Sequence, residues 1–300
     1  MRQNNSVCSF NSSDSWVILS PIELSIKRKI EAVGTPLKDW DIQINYGIKT
    51  GYNEAFIIDT VKRNEILANC STTEERKITE ELIRPILRGR DIKRYGYNWA
   101  NLYLIATFPS RHYDIDQYPS VKNYLLSFGM ERLEQTGEIH TVNGETVKAR
   151  KLTKNKWFET QDSIGYWEDF LKPKIVYQEL TQGSSFALDK NGEYLVSNTG
   201  YIISGNNLDY ILYMLNSKVI EYCFKCFYSI SLGESGLRWL SQYVMNLPIP
   251  QISDSLKETL MSSLHDCTTI PQHSIMREDE LSICKIYGFS REEITQILNY

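Results

Sequence analysis

Little in this sequence announces catalysis, secretion or a membrane. The longest apolar runs are segments such as Tyr210–Leu215, far below the ~20 residues a bilayer span needs, so no membrane partner is expected. The opening MRQNNSVCSFNSSDSW has no apolar stretch behind Arg2, and six cysteines without close pairing suit a reducing compartment. A cytoplasmic protein without disulfides is expected. There is no phosphate-binding glycine loop, because Gly233-Glu234-Ser235-Gly236 lacks the lysine and the strand-to-helix setting. His112, His140, His265 and His273 lie in dissimilar segments and form no HExxH or triad signature. Cys223 and Cys226 have metal-like spacing but supply only two of the four ligands zinc needs, on what reads as a core helix. A base-methylating site would need a glycine-rich cofactor turn and an Asn-Pro-Pro-Tyr or Asp-Pro-Pro-Tyr segment, and neither occurs. No catalytic residue, metal or cofactor is therefore expected in this chain.

What is present begins with charge. The net charge of −4 argues against a general nucleic-acid binder. The last fifty residues hold eight acids against four bases, and taking these from 37 acids and 33 bases leaves 29 of each sign before them. That neutral body is blocky. Arg84–Arg94 carries Arg84, Arg88, Arg90, Lys93 and Arg94 against Asp91 alone, and Lys148–Lys156 carries Lys148, Arg150, Lys151, Lys154 and Lys156 with no acid.

The 300 residues allow two domains at most, and 42% hydrophobic content is enough for a real core. Residues 1–15 read as an Asn/Ser-rich leader or linker. Ser20-Pro21-Ile22-Glu23 is a capping box opening a helix that Gly34 ends. Strands are expected at Ile42–Ile48, Ala55–Ile58 and Leu102–Phe108, helices at Val61–Ala68 and Thr73–Leu82, and a further helix from Pro119. Asn143-Gly144 within Ile139–Ala149 predicts a type I′ hairpin, and a second pair, Asn191-Gly192, joins Ser185–Leu188 to Tyr194–Val196. Lys174–Gln178 and Tyr201–Ile203 complete a strand-rich middle, followed by one long helix, Leu208–Phe227, and shorter ones at Leu256–His265, Ile275–Tyr287 and Glu292–Leu298. The expected fold is mixed α+β: a strand-rich body over residues 16–250 with flanking helices, then an acidic helical tail over 251–300.

Basic clusters neutralise phosphate, Arg and Asn read base edges, and aromatics stack or wedge. RPILRGRDIKRY ends on Tyr95 and RKLTKNKWF on Trp157 and Phe158, and 19 tyrosines suit an interface better than a core. The second cluster extends one arm of the Asn143-Gly144 hairpin, and a β-ribbon fits the major groove. One competing pattern is Asp59 with Glu75-Arg76-Lys77, spaced like a metal nuclease, but Glu75 and Lys77 fall in a charged helix where such residues are ordinarily solvated.

Gly47-Ile48-Lys49-Thr50-Gly51-Tyr52-Asn53, then Arg84-Pro85-Ile86-Leu87-Arg88-Gly89-Arg90-Asp91-Ile92-Lys93-Arg94-Tyr95, resembles the TaqI-like C-terminal specificity domain of restriction-modification methyltransferases and fused methyltransferase-endonucleases. Lys172-Pro173-Lys174-Ile175, Ser197-Asn198-Thr199, Leu215-Asn216-Ser217-Lys218, Leu237-Arg238 and Leu247-Pro248-Ile249-Pro250 follow in the expected order, covering roughly residues 16–250. The resemblance implies a chain that recognises double-stranded DNA while a methyltransferase elsewhere, using S-adenosylmethionine, modifies adenine N6; a nuclease, with Mg2+, accompanies it in some systems. The chain is then a C-terminal fragment or a separate recognition subunit. Lys49, Thr50 and Asn53 are expected to reach phosphate from a loop shaped by Gly47 and Gly51. Arg88, Arg90, Lys93 and Arg94 are candidate phosphate clamps beside Tyr95, with Asp91 as an alternative partner that locks the turn. Lys148, Arg150, Lys151, Lys154, Lys156 and Trp157 are the groove candidates, and Arg238 a further DNA contact. Asn216 and Ser217 are assigned to helix packing and Leu247–Pro250 to the exit from the body. The competing readings are a scaffold docking restriction-modification subunits and a metal nuclease using Asp59, Glu75 and Lys77.

Overall fold

The computed structural model describes residues 19–229, 236–261 and 277–300. The leader expected over residues 1–15, the Gly233–Ser235 stretch and His265 and His273 lie outside them. Helix α1 (Pro21–Val33) starts as its spacing predicts: the Ser20 hydroxyl accepts from Glu23 N, and the Glu23 carboxylate accepts from Ser20 N. The first half continues through β1 (Gly34–Pro36), β2 (Ile42–Tyr46), α2 (Asn53–Phe56), β3 (Ile57–Asp59), α3 (Thr60–Ala68), α4 (Thr73–Leu82), β4 (Ile83–Leu87), β5 (Ile92–Lys93), β6 (Gly96–Tyr97), β7 (Leu102–Ile105), α5 (Pro119–Leu126) and α6 (Met130–Leu133). The second half holds β8 (Ile139–Val142), β9 (Glu145–Lys148), β10 (Lys174–Gln178), β11 (Leu180–Thr181), β12 (Phe186–Asp189), β13 (Leu195–Val196), β14 (Gly200–Gly205), α7 (Leu208–Leu215), α8 (Lys218–Cys223), β15 (Leu237–Arg238), α9 (Ser241–Val244), β16 (Pro248–Pro250) and α10 to α12 (Asp254–Met261, Arg277–Ile286, Arg291–Leu298).

Two four-stranded sheets organise this α+β body, ordered β12-β10-β14-β2 and β13-β4-β7-β3. The first is antiparallel throughout and lies between two cores. Ile175, Tyr177, Tyr201 and Ile203 join the core built on α1, α7 and α8, while their neighbours Val176 and Ile202 join the core that the second sheet lines with Ile86, Leu104 and Ile105. A strand buried on both faces reads as a continuous apolar run, which is the character of Lys174–Gln178. The tyrosine surplus goes partly inside: Tyr177, Tyr210, Tyr213, Tyr222 and Tyr287 are fully buried, and the Tyr210 and Tyr287 hydroxyls donate to the carbonyls of Pro250 and Pro248.

Four local expectations change in the structure. The span read as one long helix is cut at Asn216-Ser217. The Asn216 amide exchanges hydrogen bonds with the backbone of Phe186 on β12, at 3.2 and 2.9 Å, and the Ser217 hydroxyl caps α8 by accepting from Ile220 N. Side chains that bond backbone compete with the helix ladder, and here they win. The Asn191-Gly192 turn forms, with Gly192 at φ +66°, but its flanking strands do not pair with each other: β12 pairs with β10, and β13 runs parallel to β4. Leu247–Pro250 does not leave the body, because β16 pairs with β1. The strand expected at Ala55–Ile58 is split: Asn53–Phe56 forms the helical turn α2, and only Ile57–Asp59 pairs as β3, with β7.

The described part of residues 251–300 is docked on that same core, to which it contributes Leu260, Ile283, Cys284, Tyr287 and Ile297. The Glu293 carboxylate closes the predicted Ser290 capping box and also accepts from Ser25 and Lys29 of α1. Glu280 of α11 accepts from Lys218 N at 2.8 Å, in a buried position that pushes its pKa up to about 7 against this bond, Arg94 and Lys218. The folded state therefore holds a proton that the unfolded chain releases from about 4.5 upward, so the Glu280 contribution to stability falls as pH rises toward 7. Glu280→Gln should flatten the stability profile in that window. A denaturant titration series across it, showing the same slope for both proteins, would count against this reading.

Candidate nucleic-acid interface

Three of the motifs quoted above meet at one place. Ile48 bridges Ser197 in parallel register, with Ile48 N donating to Val196 O and Asn198 N to Ile48 O. Ser197 N donates to Leu87 O, and Gly89 N donates to the Thr199 hydroxyl at 2.8 Å. The packing leaves no room for side chains at the crossing: a Cβ on Gly47 would stand 2.0 Å from Ser197 O, and one on Gly89 2.4 Å from Thr199 O. Gly47 and Gly89 thus serve backbone-to-backbone contact, whereas Gly51, at φ +79°, serves the turn of its loop. Arg88 locks the next turn. Its Nε and Nη2 donate to the two oxygens of Asp91 at 2.9 and 2.7 Å, and the Asp91 hydrogen bond raises the Arg88 pKa.

This knot floors a cleft of about 600 Å3 whose lining includes Asn53, Arg88, Arg90, Gln178, Asn198 and Thr199. Several polar groups there are already committed: Arg88 to Asp91, Thr199 to Gly89 and Ser197, and Glu179 to Arg238. Asn53 accepts from the Thr50 hydroxyl through Oδ1, and among the described residues its NH2 donors have no partner. Among the described residues, the side chains of Arg90, Gln178 and Asn198 have no protein hydrogen-bond partner.

The second basic segment connects to the cleft through Thr50, which bonds both Arg150 and the lining residue Asn53. The hairpin forms as read, β8 pairing with β9 around Asn143 and Gly144, both at positive φ (+50° and +84°). Its basic extension is a folded coil that turns back onto the loop of Lys49 and Thr50. Arg150 pins it there: only 2% exposed, its guanidinium donates to the carbonyls of Leu133, Thr50, Glu159 and Trp157. Gln161 N and Asp162 N donate to Lys49 O. Burial raises the Asp162 pKa, while Lys49 and Lys151 both pull it down, so these two lysines share one neighbourhood. Lys49, Lys148, Lys151, Lys154 and Lys156 are exposed.

The structure divides the candidate residues by exposure and partners. Lys49, Asn53, Arg90, Lys93 and the exposed lysines of the second cluster face solvent, with Lys93 Nζ donating to Arg90 O. Arg150 and Thr50 are corrected to structural roles, because both are buried and bonded. Arg94 and Tyr95 also turn inward. Tyr95 adopts φ +64° and packs on the core, while Arg94 Nη2 donates to Asn216 O at the helix break. Arg238 is held by Glu179 at 2.8 Å, and Trp157 packs edge-on to Phe158. The Asp59, Glu75 and Lys77 pattern does not assemble a metal-type site: Asp59 caps α3, and Glu75 is buried rather than solvated, bracketing Ser71 N with one oxygen and Ser120 N and Oγ with the other. Burial acts to raise the Glu75 pKa, but these bonds outweigh it and hold the carboxyl low.

Sequence reasoning does not single out Gln178 or Asn198 as site residues. Asn198 lies within one of the quoted motifs, whereas Gln178 ends a strand that reads only as core.

A family model for the TaqI-like C-terminal specificity domain matches residues 84–249. The type II methyltransferase M.PaeR7I of Pseudomonas aeruginosa is 22% identical over 289 residues, covering 94% of this chain and 44% of that protein, so the chain spans less than half of this curated relative. The type IIL restriction-modification enzyme MmeI, solved in complex with DNA, aligns over 88% of this chain and 33% of its own at a TM-score of 0.52 and 13% identity. The type IIG restriction endonuclease BpuSI aligns over 93% of this chain and 32% of its own, at 0.52 and 14%. At such identity the two structures establish a shared fold. The family match takes in more than half of the chain, including the Arg88–Asp91 turn and the Ser197–Thr199 crossing: the protein belongs to the family of TaqI-like C-terminal specificity domains.

Proposed function

We propose that this chain reads the base sequence of double-stranded DNA for a restriction-modification system and holds the duplex for an adenine-N6 methyltransferase located in another domain or subunit. A nuclease with Mg2+ accompanies that partner where the system also cuts. The observation that carries the reading is the cleft with its uncommitted Arg, Gln and Asn side chains, joined through Thr50 and Asn53 to a coil that carries exposed lysines. S-adenosylmethionine belongs to the methyltransferase, and the residues of this cleft do not fit it. Glu179, the one carboxylate among the lining residues, is held by Arg238 and is not free for ribose hydroxyls. Among the described residues no helix is long and apolar enough to cross a membrane.

Selection from a random duplex library at moderate salt should enrich one motif; a pool that stays random would overturn the reading. Lys151 and Lys154 carry the sequence-independent part of the binding. Lys151→Gln with Lys154→Gln should reduce the slope of log K against log salt by about 0.9 for each phosphate that is no longer neutralised. An unchanged slope would remove the coil from the interface.

A further inference from the structure

Resting on that DNA-reading function, we infer that Arg90, Gln178 and Asn198 are specificity-determining residues, and that the site they read contains a guanine and an adenine. Three observations support the assignment. These side chains converge on one cleft from separate elements: Arg90 from the turn after β4, Gln178 from the end of β10 and Asn198 from the crossing between β13 and β14. Their backbones are fixed. Gly89 and Thr199 are hydrogen-bonded across the crossing, the Gln178 side chain lies against Gly89, and Asn198 N is bonded to Ile48 O. Among the described residues, their side chains have no protein partner, while their charged neighbours Arg88 and Glu179 are neutralised within the fold.

The chemistry follows from the groups available. A guanidinium presents two parallel donors, which match the N7 and O6 acceptors of guanine in the major groove. An amide presents one donor and one acceptor, which match N7 and the N6 amino group of adenine. Ile57 and the 47%-exposed Leu180, also lining the cleft, offer apolar surface to a thymine methyl, the partner feature of the same adenine pair. A bare phosphate ridge would need positive charge at the cleft, and Arg90 is its one charged lining group without a protein partner among the described residues.

The test repeats the duplex selection with the full chain carrying Asn198→Ala, Gln178→Ala or Arg90→Lys, each checked for an unchanged unfolding midpoint. The expected result is a wild-type motif containing guanine and adenine, with each amide variant losing preference at one adenine by about 5- to 100-fold and keeping its salt slope. Arg90→Lys keeps the charge and should weaken guanine preference, because an ammonium lacks the planar, parallel pair of donors that a guanidinium presents to N7 and O6. Variants that select the wild-type motif with undiminished preference overturn the inference while leaving DNA reading intact, as does weakening that is uniform over all duplexes. A wild-type pool without any motif means failure of the underlying function itself. If Asn198→Ala fails to fold, Asn198→Ser and Gln178→Ala carry the same test.

Discussion

Asp189→Ala is expected to lower the unfolding free energy by about 3–5 kcal/mol, read as a fall in the urea midpoint at unchanged m-value. Lys174 Nζ lies 2.5 Å from Asp189 Oδ2 with the two side chains 0% and 1% exposed. Burial lowers the Lys174 pKa and Asp189 opposes that, so removal of the carboxylate leaves an ammonium whose one remaining acceptor among the described residues is the Phe170 carbonyl at 2.8 Å. The loss is not electrostatic alone. Asp189 also accepts from Glu193 N and Tyr194 N, and these bonds hold the Asn191-Gly192 turn that sends β13 to the other sheet. Asp189→Asn keeps the acceptor shape and should lose less. Lys174→Met combined with Asp189→Asn should be less damaging than Asp189→Ala, since it leaves no buried charge. A cost below about 1 kcal/mol for Asp189→Ala would mean that water reaches the pair.

Arg150→Ala should cost a similar ~3–5 kcal/mol, against less than about 0.5 for Lys151→Ala or Lys154→Ala in the same basic run. The guanidinium makes four bonds of 2.5 to 2.9 Å to backbone carbonyls and lies over the Phe56 ring at 5.0 Å. Burial, reinforced by Arg132, brings its pKa down to about 10. Truncation would take a donor from buried carbonyls and remove the tie between the coil and Thr50 O, leaving the bonds of Gln161 N and Asp162 N to Lys49 O to hold the loop alone. Arg150→Lys should recover little, because an ammonium lacks the planar fork that spans separated carbonyls. Denaturant unfolding of the five proteins separates the outcomes: similar small losses at positions 150, 151 and 154 would contradict the buried role. Any loss of DNA affinity in the Arg150 variants must then be read at a temperature where they remain folded.

Local chemistry was legible wherever it was self-contained. The Ser20 and Ser290 capping boxes and the Asn143-Gly144 turn each depend on residues within four positions of one another, and each forms as read. Local pattern falls short where a distant partner decides. Arg150 belongs to a lysine-rich run, yet it is the member whose donors meet carbonyls from residues 50, 133, 157 and 159. Asn191-Gly192 forms its turn, but strand choice is set by β4 and β10, which no local pattern reports. Asn216 looked like a helix residue until Phe186 was brought beside it. The cleft is the extreme case. Asn53, Arg90, Gln178 and Asn198 share no periodicity, and which of their groups stay free depends on the hydrogen bonds that their neighbours make across the fold.

The pairing of the earliest strands with the latest has a consequence for synthesis. β2 completes its register only with Gly200–Gly205, and β1 only with Pro248–Pro250. At roughly 5–20 residues per second, a growing chain carries these edges unpaired for on the order of ten seconds or more. Contacts of such long sequence separation also slow folding after release, because loop closure comes before any gain from pairing. The cleft is subject to the same delay, since its walls run from Asn53 to Thr199. A nascent chain therefore has no assembled surface with which to engage a duplex until its second half has left the ribosome.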